Sequence, residues 1–114
     1  MGDNVTIGND VDLGNAADVM VAGDNLDISG KLMTGNGNDT VIIGDGLVLD
    51  DELLMSNGND SVTIGDNASI SGKIVVSDGN DTVTIGTNLS MSDDIELDNG
   101  CLLYTSPSPR DRYI

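Results

Sequence analysis

Apolar and polar residues alternate along this chain in short stretches, and the stretches return at a fixed interval. Val41 and Ile43 are followed, at the same relative place, by Val62 and Ile64 and by Val83 and Ile85. A second stretch runs Leu26 with Ile28, Leu47 with Leu49, Ala68 with Ile70 and Leu89 with Met91. A third holds Leu32, Leu53 with Met55, Ile74 with Val76, and Ile95 with Leu97. A spacing of two is the strand period, and β-branched residues dominate it. Between the stretches lie turn formers (GDN, then SGK or DDE, then SNGND), rich in the glycine and asparagine that tolerate left-handed backbone. The interval is twenty-one residues, restarting at Gly2, Gly23, Gly44, Gly65 and Gly86. Gly, Asn and Asp interrupt every window long enough for a helix.

A fixed period without insertions predicts a solenoid in which each repeat is one coil. The expected fold is all-β: a parallel β-solenoid with three short strands and three corners per coil, between four and five coils in all, right-handed like other parallel crossovers. Residues 1–100 form this repeat region. Gly2 already opens a repeat without a preceding cap, so the chain reads as a slice of a longer array. Uncapped coils leave strand edges that favour end-to-end self-association.

Charge narrows the function classes. The chain carries 20 acidic residues against 4 basic ones, for a net charge of −16, and has no histidine. Nucleic acid is excluded as a partner, since phosphate binding needs a basic surface. No apolar run is long enough to span a bilayer. With no histidine and no serine beside a base, the residues for nucleophilic catalysis are missing, and no cluster of non-repeating polar residues marks a polysaccharide-acting site. The chain is read as a non-enzyme.

In a stacked solenoid, equivalent residues form ladders about 4.8 Å apart. Asp10, Lys31, Glu52, Lys73 and Asp94 form one in which charge alternates, a surface ion-pair ladder worth little per pair. Asp3, Asp24, Asp45 and Asp66 form another, in GDN turns where each side chain is expected to cap backbone two residues on; beside them Asn4, Asn25, Asn67 and Asn88 are expected to form an amide ladder. The column Asp18, Asp39, Asp60, Asp81 has no cation within the repeat to relieve it. Like charges at that spacing repel by roughly 1 kcal/mol in water and roughly 3 to 4 at an effective dielectric near 20. Such a column must splay into water, shift its pKa or take up a cation. The turns Gly37-Asn38-Asp39, Gly58-Asn59-Asp60 and Gly79-Asn80-Asp81 place carbonyls and carboxylates together, hard oxygens that suit calcium.

The segment GNGNDTVII (35–43) resembles the glycine- and aspartate-rich nonapeptide of the RTX, or haemolysin-type, calcium-binding repeats; SNGNDSVTI (56–64) and SDGNDTVTI (77–85) match its second half. The resemblance implies calcium held between successive turns by Asp39, Asp60 and Asp81, with oxygen from Gly37, Gly58, Gly79 and their neighbours Asn38, Asn59 and Asn80. Asp18, in an Ala-Ala-Asp turn, is the poor member of the set. The chain departs from the family in having one clear nonapeptide per repeat, and Ser56 and Ser77 replace a motif glycine. The implied function is a calcium-binding spacer or adhesive segment of a large secreted or cell-surface bacterial protein, marginally ordered without the ion and folding as it binds. The alternatives are a metal-free solenoid whose Asp and Asn residues cap turns, and a surface- or ice-binding face built on the outward ranks Thr40 with Ile42, Ser61 with Thr63 and Thr82 with Thr84.

After Gly100 the repeat stops. Residues 101–114 hold the single cysteine, Cys101, with both prolines, both tyrosines and both arginines. The string CLLYTSPSPRD resembles the in-frame translation of a transposase-type sequencing-library adapter. This segment is therefore read as a non-native tail, and Cys101 as evidence for neither disulfide nor thiol chemistry.

Overall fold

In the computed structural model, residues 2–77, 79–93, 95–97 and 102–105 are described. The chain is all-β and winds as a parallel solenoid with three strands per coil. The first coil contains β1 (Thr6–Ile7), β2 (Val11–Asp12) and β3 (Val19–Ala22). The second contains β4 (Asp27–Ile28), β5 (Leu32–Met33) and β6 (Thr40–Ile43). The third contains β7 (Val48–Leu49), β8 (Leu53–Met55) and β9 (Ser61–Ile64). The fourth contains β10 (Ser69–Ile70), β11 (Ile74–Val76) and β12 (Thr82–Ile85). Beyond them come β13 (Ser90–Met91), β14 (Ile95–Leu97) and β15 (Leu102–Thr105).

Each strand pairs in parallel with its counterpart one coil away, giving three five-stranded sheets ordered β1-β4-β7-β10-β13, β2-β5-β8-β11-β14 and β3-β6-β9-β12-β15. Thr40 pairs with Ser61 and Ser61 with Thr82, the register that the repeat dictates. At the last pair the register shortens by one, and Thr82 pairs with Leu102. The backbone of Leu102–Thr105 thus extends the third sheet, although it lies beyond the repeat.

Burial follows the alternation read from the sequence. In β6, β9 and β12, Val41, Ile43, Val62, Ile64, Val83 and Ile85 point inward and are buried, while Ile42 and Thr63 face out. Leu26, Ile28, Leu47, Leu49, Ile70, Leu32, Leu53 and Ile74 close the core from the other two sheets. Burying each such side chain is worth roughly 1.5–3 kcal/mol. Besides the aspartates described below, one polar residue among the described residues is buried here. Thr34 is fully buried where equivalent coils place Met55 and Val76, and its hydroxyl has no partner.

Two corners explain why the repeat keeps its small residues. Asn4, Asn25, Asn67 and Asn88 sit in the left-handed region at φ 59° to 61°, where asparagine is tolerated far better than branched residues. Gly58 has φ 127°, and a Cβ there would overlap the Gly37 carbonyl of the coil before.

Candidate functional site

The inner aspartate column grows directly out of the strand alternation. Asp39 lies two residues before Val41 and four before Ile43, so it shares the inward parity of β6; Asp60 and Asp81 do the same ahead of β9 and β12. The three carboxylates are accordingly buried, at 1%, 2% and 1% exposure, and Asp18 is half-buried.

Burial is compensated by backbone. Asp39 Oδ1 accepts the Asp18 N–H at 2.8 Å, Asp60 Oδ1 accepts the Asp39 N–H at 2.9 Å, and Asp81 Oδ1 accepts the Asp60 N–H at 2.7 Å. The carbonyls of Asp18, Asp39 and Asp60 receive in turn the N–H groups of Thr40, Ser61 and Thr82 at 2.8–2.9 Å. Asp39 and Asp60 each therefore bind the coil before through Oδ1 and the coil after through the backbone carbonyl. Of the outcomes open to such a column, splaying into water does not occur.

The second carboxylate oxygens are a different matter. Oδ2 of Asp18, Asp39 and Asp60 is buried and accepts nothing. Leaving such an atom unsatisfied is costly when it is charged. Burial accordingly pushes the Asp60 carboxyl up to about 6; the Asp39 N–H opposes that rise, and the neighbouring charges of Asp81 and Asp39 add to it.

The other proposed oxygen donors are partly committed. Asn38 Oδ1 accepts the Asn59 N–H at 2.8 Å and Asn59 Oδ1 accepts the Asn80 N–H at 2.9 Å, so these side chains reach toward the next coil while the aspartates reach toward the previous one. The carbonyl oxygens of Gly37 and Gly58 lie against the Cα of Gly58 and Gly79. Among the described residues, no three His, Cys, Asp or Glu side chains converge as a metal centre.

The outer ladders behave differently from one another. Oδ1 of Asp3, Asp24, Asp45 and Asp66 accepts the N–H of Asp24, Asp45, Asp66 and Thr87 at 2.8–2.9 Å. These aspartates bond the next coil instead of capping their own turn, because stacking brings the neighbouring amide into reach. The amide ladder forms as expected, Asn25 Nδ2 to Asn4 Oδ1 and Asn88 Nδ2 to Asn67 Oδ1, both at 3.1 Å; Gly46 interrupts it. In the charged corner Lys31 meets Glu52 at 3.6 Å, whereas Lys73 meets Glu96 on β14 at 3.9 Å. Asp94, expected there, lies outside the described residues.

On the outer face of the third sheet Thr63 is exposed and Thr40, Ser61, Thr82 and Thr84 are half-buried, but the first coil supplies Val19 at 71% exposure and Val21 at 50%. The hydroxyl ranks are therefore confined to part of that face. Among the described residues, no helix is long and apolar enough to cross a membrane.

Fold and ladders together define a parallel β-solenoid repeat protein. No family model matches the chain, and no curated protein or solved structure matches it.

Proposed function

We propose that this chain is a structural spacer, a stiff segment of a larger secreted or cell-surface bacterial protein, with no catalytic role. The observation that supports this is how the repeated polar residues are used. Asp24, Asp39, Asp45, Asp60, Asn38 and Asn59 each accept a backbone N–H from an adjacent coil. Side chains spent in coil after coil on stacking set the length and stiffness of an array. Placement outside the cell rests on the RTX resemblance alone.

Calcium binding is a second reading, favoured by the unpartnered Oδ2 atoms of Asp18, Asp39 and Asp60. Hard, anionic oxygens with no donor of their own are suitable ligands, and Asp39, Asp60 and Asp81 are the residues that would hold an ion, which would supply the missing positive charge. The fit is partial. Calcium takes about six to eight oxygens, whereas the Asp39, Asp60, Asn38 and Asn59 Oδ1 atoms already accept N–H groups. An ion would require the Gly-Asn-Asp turns to open, so the column as it stands favours metal-free coils.

Circular dichroism and thermal unfolding in EDTA, then in millimolar calcium, test the choice. Full β signal and a cooperative transition in EDTA, with little change on adding calcium, are expected. A β signal that forms only with calcium would replace this reading by the second.

A further inference from the structure

Asn4, Asn38, Asn59, Asn67, Asn80 and Asn88 each have a serine or threonine two places on, and no proline stands between. This triplet is the acceptor motif for N-linked sugar, provided that it lies at the surface. A spacing of two is also the strand period, so the fold decides what each triplet can do. In Asn38-Asp39-Thr40, Asn59-Asp60-Ser61 and Asn80-Asp81-Thr82 the middle residue is buried in the inner column. The asparagines are exposed and the hydroxyl residues half-buried. Amide and hydroxyl therefore share the outer side of one corner, coil after coil.

The two ends of these amides are used differently. Asn38 Oδ1 accepts the Asn59 N–H at 2.8 Å, and Asn59 Oδ1 accepts the Asn80 N–H at 2.9 Å. Nδ2 of Asn38 and of Asn59 donates to no acceptor among the described residues. With the oxygen held against the stack in an exposed side chain, the nitrogen is the end left to solvent. The other corner is arranged the opposite way, since Asn88 spends its Nδ2 on Asn67 Oδ1 at 3.1 Å. Asn36 and Asn57 are exposed as well, but the residues two places on are Asn38 and Asn59, which offer no hydroxyl.

We propose that Asn38 and Asn59, with Asn80 in the same column, are acceptors for N-linked sugar, delivered as a glycosyl diphosphate by a glycosyltransferase. The bond formed joins Nδ2 to the anomeric carbon. The bond broken is that carbon's link to phosphate; the diphosphate leaves with the electron pair, and Nδ2 gives up one proton to the transferase. Oδ1 takes no part, so the Asn59 and Asn80 N–H groups keep their acceptors and the coils stay stacked. Sugar on this column lays a bulky, solubilising coat along one corner of the solenoid. The site goes beyond the spacer reading, and the failure of either leaves the other standing.

Peptide mass mapping of the folded full chain tests this in two arms. One supplies UDP-glucose with a soluble N-glycosyltransferase, the other a lipid-linked oligosaccharide with a membrane oligosaccharyltransferase, and the arm that labels identifies the donor. Label is expected on Asn38, Asn59 and Asn80 and absent from Asn36 and Asn57. Ser61→Ala should abolish it at Asn59 while Asn38 keeps it, and Ser61→Thr should restore it; circular dichroism checks that each variant is folded. A folded chain left unlabelled in both arms overturns the proposal, whether or not the urea-unfolded chain is labelled. Equal label on Asn36 and Asn57, or label confined to Asn67 and Asn88, overturns it too.

Discussion

The amide of Asp39 donates to Oδ1 of Asp60 across a coil boundary at 2.9 Å, which makes one side chain both the acceptor that joins two coils and a charge held away from water. These roles pull in opposite directions. The hydrogen bond favours folding, while the buried charge, with Asp81 beside it, disfavours it.

Two substitutions separate the roles. Asp60→Asn keeps an oxygen for the Asp39 amide and removes the charge, so it should stabilise the metal-free protein at neutral pH by about 1–3 kcal/mol. Asp60→Ala removes both and leaves a buried N–H unpaired, so it should destabilise by about 1–3 kcal/mol. Urea unfolding of the two variants beside wild type measures the difference. Equal losses in both would mean that the charge, not the acceptor, is what the fold requires.

The same carboxyl gives the protein an unusual pH profile. Its folded value is about 6 against an ordinary 3.8, so the folded state holds its proton more tightly than the unfolded chain does. That contribution is fully present below about pH 4 and is lost as pH rises through about 6, at a cost of about 3 kcal/mol. Denaturation midpoints measured in EDTA from pH 4 to pH 7 should fall with rising pH. In Asp60→Asn the slope should flatten.

Much of this arrangement was legible in the chain. The spacing-of-two pattern placed the strands, and the repeat fixed which residues stack, because a parallel coil has little freedom once Gly and Asn set its corners. The inward position of Asp39, Asp60 and Asp81 was legible too, from their parity with Val41, Val62 and Val83, but the like charge of the column drew the reading toward a bridging cation and that parity went unused. Direction was not legible. Nothing in the residue pattern says that these aspartates reach to the previous coil while Asn38 and Asn59 reach to the next; rotamers and turn geometry decide it. The pairing of Lys73 with Glu96 escaped for a related reason, since a long side chain reaches beyond its own column.

Thr34 is a defect that the repeat itself corrects elsewhere. Its hydroxyl is buried without a partner, and neighbouring coils use Met55 and Val76 at that place. Thr34→Val keeps the shape and removes the unsatisfied group, so a gain of about 1–2 kcal/mol is expected. Thermal unfolding reads it directly, and a loss would mean that the hydroxyl is satisfied in solution.

Gly58 tests whether close stacking of the turns holds the column together. Its φ of 127° suits glycine alone, and an added Cβ would strike the Gly37 carbonyl of the preceding coil, which is backbone and cannot swing aside. Gly58→Ala should therefore destabilise by about 2 kcal/mol or more, through strain and through displacement of the turn that aims Asp60 at the Asp39 amide. Gly14, at φ 101° with open space around it, is the control: its alanine variant carries the backbone strain without the collision. Hydrogen exchange at the Asp39 amide should rise sharply in Gly58→Ala and stay near wild type in Gly14→Ala. Equal exchange in the two would show that the turns tolerate separation, and that the ladder of aspartates does not depend on their close approach.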